Sequence, residues 1–273
     1  MDEFAETNRA RWNELAALHP RTPEYRRAEF LAGGSKLRPP DREEVGDVRG
    51  KRLLHLQCHF GLDTLSWARE GAIVTGFDFA PRAIEEARRL SEESGVPGRF
   101  VLSSYDRLAA DLAGERFDIV YASRGVICWL QDIHQAFAAA AQLLAPGGAF
   151  HLIDGHPLST ILDDERPWPA PDAPRIVWSY FYSREPTRWE TPGSYADRDA
   201  KLEHTVTYEW NHHLGEVVDA VLAAGLRLQH LRELPYGYFR TLPAMIEDVD
   251  GNWHLPPPLA GKLPLQFALK AVK

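Results

Sequence analysis

The segment from Lys51 to Asp78, KRLLHLQCHFGLDTLSWAREGAIVTGFD, has the clearest secondary-structure pattern in this chain. It starts with closely spaced leucines, passes through a short turn that ends at Gly61, and continues with an apolar helical period that stops at Gly71. A second apolar run follows and ends at Asp78. The pattern predicts a strand, a turn, a helix and a second strand, which form a βαβ unit. In such units a ligand lies beyond the carboxyl ends of the strands.

The acid at the end of the second strand indicates the kind of ligand. In nucleotide-binding βαβ units an acidic residue in this place accepts hydrogen bonds from ribose hydroxyls. An ionised carboxylate can accept from both hydroxyls, so we expect Asp78 to face a nucleoside-bearing ligand rather than to pack. The alternative is that Asp78 caps the helix that begins after Pro81.

The unit resembles the cofactor site of the class I S-adenosylmethionine (SAM) methyltransferases. In that superfamily an acid and three spaced glycines accompany the turn after the first strand. Here, in LLHLQCHFG, His55 takes the place of the acid, Gln57 and His59 take the first two glycine places, and Gly61 is kept. Glycine tolerates a positive φ that other residues avoid, so His59 requires either an ordinary backbone angle or a strained one.

The resemblance extends over residues 51 to about 155. After the first unit the pattern predicts a helix from Pro81 to Ser91, strands at Arg99 to Ser103 and Phe117 to Ser123, and a helix through Phe137 and Leu143. The phrase LLAPGGAFHLID follows, and it is frequent in the superfamily as a helix end, a turn and the fifth strand. The segment HLQCHFGLDTLSWAR, together with CWL and EWNHHLGE, resembles the sequences of a bacterial subfamily of small-molecule methyltransferase-like proteins.

The resemblance implies an α/β fold with a seven-stranded Rossmann-like sheet of six parallel strands and one antiparallel strand. An N-terminal helical lid and an aromatic-rich insertion are expected around this sheet. The expected divisions are the lid at residues 1–45, the SAM-binding core at 46–157, the substrate-cap insertion at 158–206 and the C-terminal completion of the core at 207–273.

The resemblance also implies which residues hold SAM. Phe79 would pack on the adenine, and Ser104 would accept from the adenine amino group, with Tyr105 and Asp106 as alternatives. The residues assigned to the cofactor are His55, Gln57, His59, Gly61, Asp78, Phe79, Ser104, Tyr105, Ser123, Trp12 and Leu37.

Two of these residues precede the core. Trp12 lies on a predicted helix from Asn8 to Leu18, which would either cover the cofactor as a lid or simply pack on the domain. Leu37 and Arg38 would line the mouth of the cofactor site. Arg38 would make a charge-assisted contact with the SAM carboxylate, or it would be an ordinary surface arginine.

Candidate acceptor-binding residues follow the fourth and fifth strands. Ser123 and Arg124 end the fourth strand, where ligands bind, and Arg124 is assigned to the substrate. Trp129 is either functional or part of the core. His156 is the candidate general base or substrate-orienting residue, and the alternative is a turn histidine bonded to the backbone. Many methyltransferases need no base, because in-line positioning accelerates transfer from the sulfonium.

Residues 158–205 combine several prolines with many aromatic residues, which is unlike a disordered segment. Strands are predicted at Ile176 to Tyr182 and at Leu202 to Tyr208. An aromatic cap indicates a small organic acceptor held by face contacts, although some of these rings would only attach the insertion to the core. Trp210 and His212 are further candidate substrate contacts, just before a predicted helix.

The composition is that of an ordinary enzyme. The 273 residues carry a formal net charge of −8, which does not favour nucleic-acid binding. Two cysteines, no recognisable signal peptide and no apolar run of membrane length predict a cytoplasmic protein that acts as a monomer or homodimer. The zinc-protease pattern HExxH is missing despite 11 histidines, so no metal is expected.

The sequence therefore predicts SAM-dependent methyl transfer to a small organic acceptor, with O-, N- and C-methylation all open. One alternative is a protein of the same fold that binds SAM or S-adenosylhomocysteine (SAH) without transferring methyl. Another is an NAD-dependent oxidoreductase, which the lack of GxGxxG in the first turn disfavours.

Overall fold

The computed structural model describes residues 2–164, 166, 168, 170 and 173–273. Within these residues the chain forms one seven-stranded sheet and two smaller sheets. The strands are β1 (Arg52–His55), β2 (Ile73–Asp78), β3 (Arg99–Leu102), β4 (Phe117–Ser123), β5 (Leu144–Gly155), β6 (Thr187–Glu190), β7 (Val206–Glu209), β8 (Arg227–Leu234), β9 (Tyr236–Gly237), β10 (Ile246–Glu247), β11 (Trp253–His254) and β12 (Gln266–Val272). The α-helices are α1 (Glu3–Leu18), α2 (Arg27–Leu31), α3 (Pro39–Val45), α4 (Leu62–Arg69), α5 (Pro81–Ser94), α6 (Tyr105–Asp111), α7 (Ile133–Leu143) and α8 (Leu214–Ala223).

The order of the main sheet is β3-β2-β1-β4-β5-β12-β8. The first five strands are parallel, and β12 runs antiparallel to both β5 and β8. Six strands therefore point in one direction and one in the other, which confirms the predicted sheet. The strand order reverses between β1 and β4, and the carboxyl ends at such a reversal border a crevice where ligands bind.

Helices cover both faces of the sheet. On one face α6, α7 and α8 bury apolar side chains such as Leu108, Ile133 and Val217. On the other face, Val45 of α3 and Trp67 of α4 lie in one hydrophobic cluster. Other residues of α4 and residues of α5 lie in a neighbouring cluster. Because β1 and β4 are covered on both sides, all but one residue of each strand are buried, as expected for a parallel sheet.

The N-terminal helix is joined to the insertion rather than to the sheet alone. The side chain of Asn8 donates to the backbone oxygen of Tyr208 at 2.7 Å and accepts from its N–H at 2.8 Å. Glu14 accepts from the backbone N–H groups of Glu203 and His204 at 2.8 and 2.9 Å. The helix α1 and the residues around β7 therefore form a continuous cap beside the core.

Some local predictions were wrong. The first helix begins at Glu3, because the Asp2 side chain caps it by accepting from the Ala5 N–H at 2.9 Å. Residues 176–182 do not form the predicted strand and make only an isolated bridge, between Leu162 and Ile176. The strand β6 lies in the insertion and pairs with β7, which begins at the last residue of the insertion. No helix in the described part of the chain has the length and apolar character needed to cross a membrane.

We predict that Gly61→Ala destabilises the protein by about 3 kcal/mol. Gly61 has a φ of +77°, and an added Cβ would lie 2.7 Å from Cε1 of Phe100. Gly114→Ala is the matched control, since Gly114 has a φ of +83° but no atom within 4 Å of the added Cβ, so it should cost about 1 kcal/mol. Urea unfolding measures both, and equal losses would contradict the packing argument.

Candidate functional site

A cavity of about 170 Å³ lies at the carboxyl ends of β1, β2 and β4. Eight of the predicted site residues line it: Trp12, His55, Gln57, His59, Asp78, Phe79, Ser123 and Arg124. The residues on the side of the cavity that the sheet forms were therefore predicted from the sequence. Most of the opposite side comes from segments distant in sequence.

The turn after β1 keeps the backbone of a glycine-rich turn although only one glycine remains. The φ angles of Gln57, His59 and Gly61 are 50°, 50° and 77°. The strained alternative for His59 is therefore the one observed. A left-handed conformation costs a non-glycine residue about 1–2 kcal/mol, so the surrounding contacts must hold the turn in place.

Asp78 supplies one of those contacts. Its Oδ2 accepts from the backbone N–H of His59 at 2.9 Å, and its Oδ1 accepts from the N–H of Ala80 at 2.9 Å. The carboxylate is 6% exposed, and burial raises its pKa to about 6. We expected this group to face a ligand rather than to pack. The structure corrects that view, because Asp78 lines the cavity and is also packed and bonded to the backbone.

Arg124 is the centre of a buried ion network. It has a φ of 64°, and its guanidinium pairs with Asp41 and Asp63. Asp41 also accepts from the hydroxyl of Tyr121 at 2.8 Å, and the ring of Tyr238 lies 4.9 Å from the guanidinium carbon. Arg124 is therefore held in place by two carboxylates, to which both of its terminal nitrogens are bonded.

Two other cations line the cavity without an ion pair among the described residues. The ammonium of Lys36 donates to the backbone oxygen of Glu24 at 2.8 Å, and Arg38 donates to that of Gly251 at 2.9 Å. Burial lowers the pKa of both groups. Their charges remain available to a negatively charged part of a ligand.

Aromatic rings form the wall opposite the sheet. Trp12 lies 5.2 Å from Trp129 and 5.4 Å from the His59 ring, measured between centroids. Tyr195 is hydrogen-bonded to the hydroxyl of Tyr25 and stacks on Phe239 at 6.0 Å. Trp12 thus lines the cavity and also packs α1 on the core.

Three residues that line the cavity have buried polar atoms without a hydrogen-bond partner in the described structure. They are Oε1 of Gln57, Oγ of Ser123 and the hydroxyl of Tyr238. A buried unpaired polar group costs about 1–3 kcal/mol. Three lining residues with unpaired polar atoms fit a site that binds a polar ligand.

Several predicted cofactor residues lie elsewhere. Ser104 and Tyr105 do not line the cavity, and the Tyr105 ring packs edge-on against Phe77 at 5.1 Å. Leu37 is buried in a hydrophobic cluster with Val45. Gly61 shapes the turn without lining the cavity.

His156 lies away from the cavity. Its Nδ1 accepts from the backbone N–H of Leu158 at 3.0 Å, and its Nε2 lies 2.8 Å from Oε1 of Glu233. This arrangement matches the alternative of a turn histidine bonded to the backbone. The reason is topological, because β5 ends beside β12, whereas the cavity is centred on β1, β2 and β4.

Trp210 and His212 also do not line the cavity. The backbone N–H of Trp210 donates to the oxygen of Cys128 at 2.9 Å, and Nε2 of His212 donates to that of Leu130 at 2.6 Å. The ring of His212 stacks on Tyr182 at 5.2 Å. Both residues fasten the end of the insertion to the loop after β4.

The sequence analysis missed Lys36, Tyr195 and Tyr238 as site residues. Their positions depend on how the N-terminal segment, the insertion and the C-terminal segment fold back over the sheet, and no local motif marks them. Within the described residues there is no group of three or more histidine, cysteine or acidic side chains that could hold a metal ion.

Asp78 should make stability depend on pH. Its folded-state pKa of about 6 exceeds the usual 3.8, so the native state binds more protons than the unfolded state between these values. Stability contributed by this group therefore falls as pH rises through this window. We predict that lowering the pH from about 7 to about 5 raises the free energy of unfolding of the wild type, relative to that of Asp78→Asn, by about 1 kcal/mol.

Urea unfolding of both proteins at the two pH values measures this shift. Comparing the two proteins cancels the other titrating groups. A difference that is independent of pH would show that Asp78 has an ordinary pKa.

Comparisons with known proteins agree with this geometry. Residues 54–152 match the model of a family described as methyltransferase domain. Over 106 residues the chain is 34% identical to the ubiquinone biosynthesis O-methyltransferase of Escherichia fergusonii and 36% identical to that of Cronobacter sakazakii. Each match covers 39% of this chain and 43% of the relative. The chain thus matches less than half of the length of these curated relatives.

Solved structures resemble the chain over most of its length. A SAM-dependent methyltransferase from Mesorhizobium loti has a TM-score of 0.59 and 22% identity, covering 89% of this chain and all of that one. One from Clostridium acetobutylicum has a TM-score of 0.55 and 14% identity, covering 85% and 88%. At these identities the likeness concerns the fold. Residues 54–152 therefore match a methyltransferase domain, and the chain shares the fold of these SAM-dependent methyltransferases.

Proposed function

We propose that this protein transfers a methyl group from SAM to a small organic acceptor. The observation that carries the proposal is the cavity beneath Trp12, at the switch point of the sheet. It is lined by Asp78 and by three residues whose buried polar atoms have no partner among the described residues. The matched methyltransferase domain and the match to O-methyltransferases support the type of reaction. SAM supplies an electrophilic methyl group on a sulfonium when it is bound.

The residues of the cavity fit the parts of SAM. Each oxygen of Asp78 accepts one backbone N–H and retains capacity to accept from a ribose hydroxyl. Lys36 and Arg38, which form no ion pair with the residues that the structure describes, offer their charges to the carboxylate of the methionine part. Asp63 and Glu24 also line the cavity and offer carboxylates to the ammonium group of the methionine part. Asp63 does so although it is paired with Arg124.

The aromatic wall fits a small planar or apolar acceptor. Trp129, Tyr195 and Phe239 present large apolar surfaces to the cavity, and such surfaces hold planar molecules by face contacts. Catalysis then rests on positioning the acceptor in line with the methyl group and on excluding water. Since His156 lies outside the cavity, we do not propose it as a general base.

We keep the expected division into a lid at residues 1–45, a core at 46–157, a cap at 158–206 and a C-terminal completion. The contacts of α1 with the residues around β7 support a cap built from both the lid and the insertion. We further propose that the protein works in the cytoplasm as a monomer or homodimer without nucleic-acid partners. The net charge of −8 supports the proposal that the protein does not bind nucleic acids.

Methyl transfer is tested by incubating the protein with methyl-labelled SAM and panels of phenols, carboxylic acids and amines. We expect labelled product and equimolar SAH with at least one acceptor class. Tight SAH binding without turnover on any acceptor would favour a binding protein of the same fold. Binding of NAD in place of SAH would favour the oxidoreductase alternative.

We predict that Tyr238→Phe weakens SAH binding by about five-fold to ten-fold without lowering stability. The Tyr238 hydroxyl is buried and has no hydrogen-bond partner in the described part of the chain. Its removal therefore costs the folded protein no hydrogen bond, whereas a bound ligand loses one. Calorimetry measures the affinity and urea unfolding the stability.

Tyr121→Phe is the matched control. Its hydroxyl is also buried but donates to Asp41, so this variant should lose about 2 kcal/mol of stability. If Tyr238→Phe loses as much stability as the control and binds SAH normally, the hydroxyl has a structural role.

A further inference from the structure

A chain of three side chains connects the insertion to the turn after β1. Oγ of Ser194 lies 2.8 Å from Nε2 of His19, and Nδ1 of His19 lies 2.9 Å from Nε2 of His59. His19 is fully buried and Ser194 nearly so. The connection therefore runs through the interior and joins three segments that are far apart in sequence.

The hydrogen bonds of Ser194 favour one direction for this chain. Its Oγ accepts from the backbone N–H of Ala196 at 3.1 Å, which leaves its own proton to donate to Nε2 of His19. Nδ1–H of His19 then donates to Nε2 of His59, and both rings are neutral. Burial lowers the pKa of His19 to about 3, so this neutral arrangement persists at ordinary pH.

At one end, the chain fixes the acceptor wall. Ser194 precedes Tyr195, whose ring lines the cavity, bonds to Tyr25 and stacks on Phe239. Arg11 of α1 donates to the backbone oxygen of Gly193 in the same turn. A shift of Ser194 would therefore move Tyr195 relative to the sheet.

At the other end, the chain fixes the proposed cofactor turn. His59 is held at a φ of 50°, and its backbone N–H donates to Asp78. The bond from His19 holds the ring while the bond to Asp78 holds the backbone. A glycine at this position could not make the side-chain contact that His59 makes with His19.

We propose that His19 and Ser194 are positioning residues that couple the cofactor turn to the Tyr195 wall. A molecule bound against His59 and Asp78 thereby orders the residues that meet the acceptor, and cofactor binding prepares the acceptor site. This inference rests on the proposed function. Ser194 does not line the cavity, so any effect of Ser194 on cofactor affinity must pass through its neighbours.

The test is a double-mutant cycle read out by SAH calorimetry. Ser194→Ala should weaken SAH binding about five-fold, the size of one ordinary hydrogen bond. His59→Asn removes the ring and keeps a residue that tolerates positive φ. In that background Ser194→Ala should change the affinity less than two-fold, because the connection is already broken.

Ser159→Ala is the matched control. Ser159 is also buried and its Oγ donates to a backbone oxygen, that of His156, outside the cavity, so its loss should leave SAH affinity unchanged. Hydrogen exchange gives a second measurement, in which SAH should protect the amides of residues 193–197 in the wild type and less so in Ser194→Ala.

Unchanged affinity in Ser194→Ala, additive effects in the cycle, or equal protection of residues 193–197 in both proteins would overturn the coupling. In each of these cases the wild type still binds SAH, and the proposed function stands. A wild type that does not bind SAH would instead contradict the proposed function itself.

Discussion

The carboxylate of Asp78 holds the site together. It accepts from the N–H of His59 in the turn after β1 and from the N–H of Ala80 at the start of α5. The same two segments also pack together, since Phe60 of the turn lies in one hydrophobic cluster with Ile84 and Ala87 of α5. Because the group is buried, its negative charge is costly, and that cost is offset by the two backbone donors and, in our proposal, by ribose hydroxyls.

The turn held by Asp78 shows how a glycine motif can change while its geometry is kept. Gln57 and His59 keep positive φ values and lose the ease with which glycine adopts them. In return, His59 contacts His19 and Trp12, and Oε1 of Gln57 has no hydrogen-bond partner among the described residues. Strain of this kind is commonly stored where function requires it.

The periodicity of β1, α4 and β2, with the acid at Asp78, predicted a parallel βαβ unit and its ligand end. The seven-stranded sheet was implied by the resemblance to the methyltransferases. The insertion could not be predicted in this way, since the aromatic residues at 176–182 suit an irregular segment as well as a strand. His156 and Tyr238 show the same limit, because the histidine follows a strand away from the cavity and the tyrosine reaches it only through long-range folding.

A crystal structure of the protein with SAH tests this interpretation most directly. We predict the adenosyl group in the cavity beneath Trp12, with the ribose hydroxyls about 3 Å from the carboxylate oxygens of Asp78 and the methionine carboxylate near Lys36 and Arg38. SAH bound elsewhere, or bound in the cavity without contacting Asp78, would contradict it.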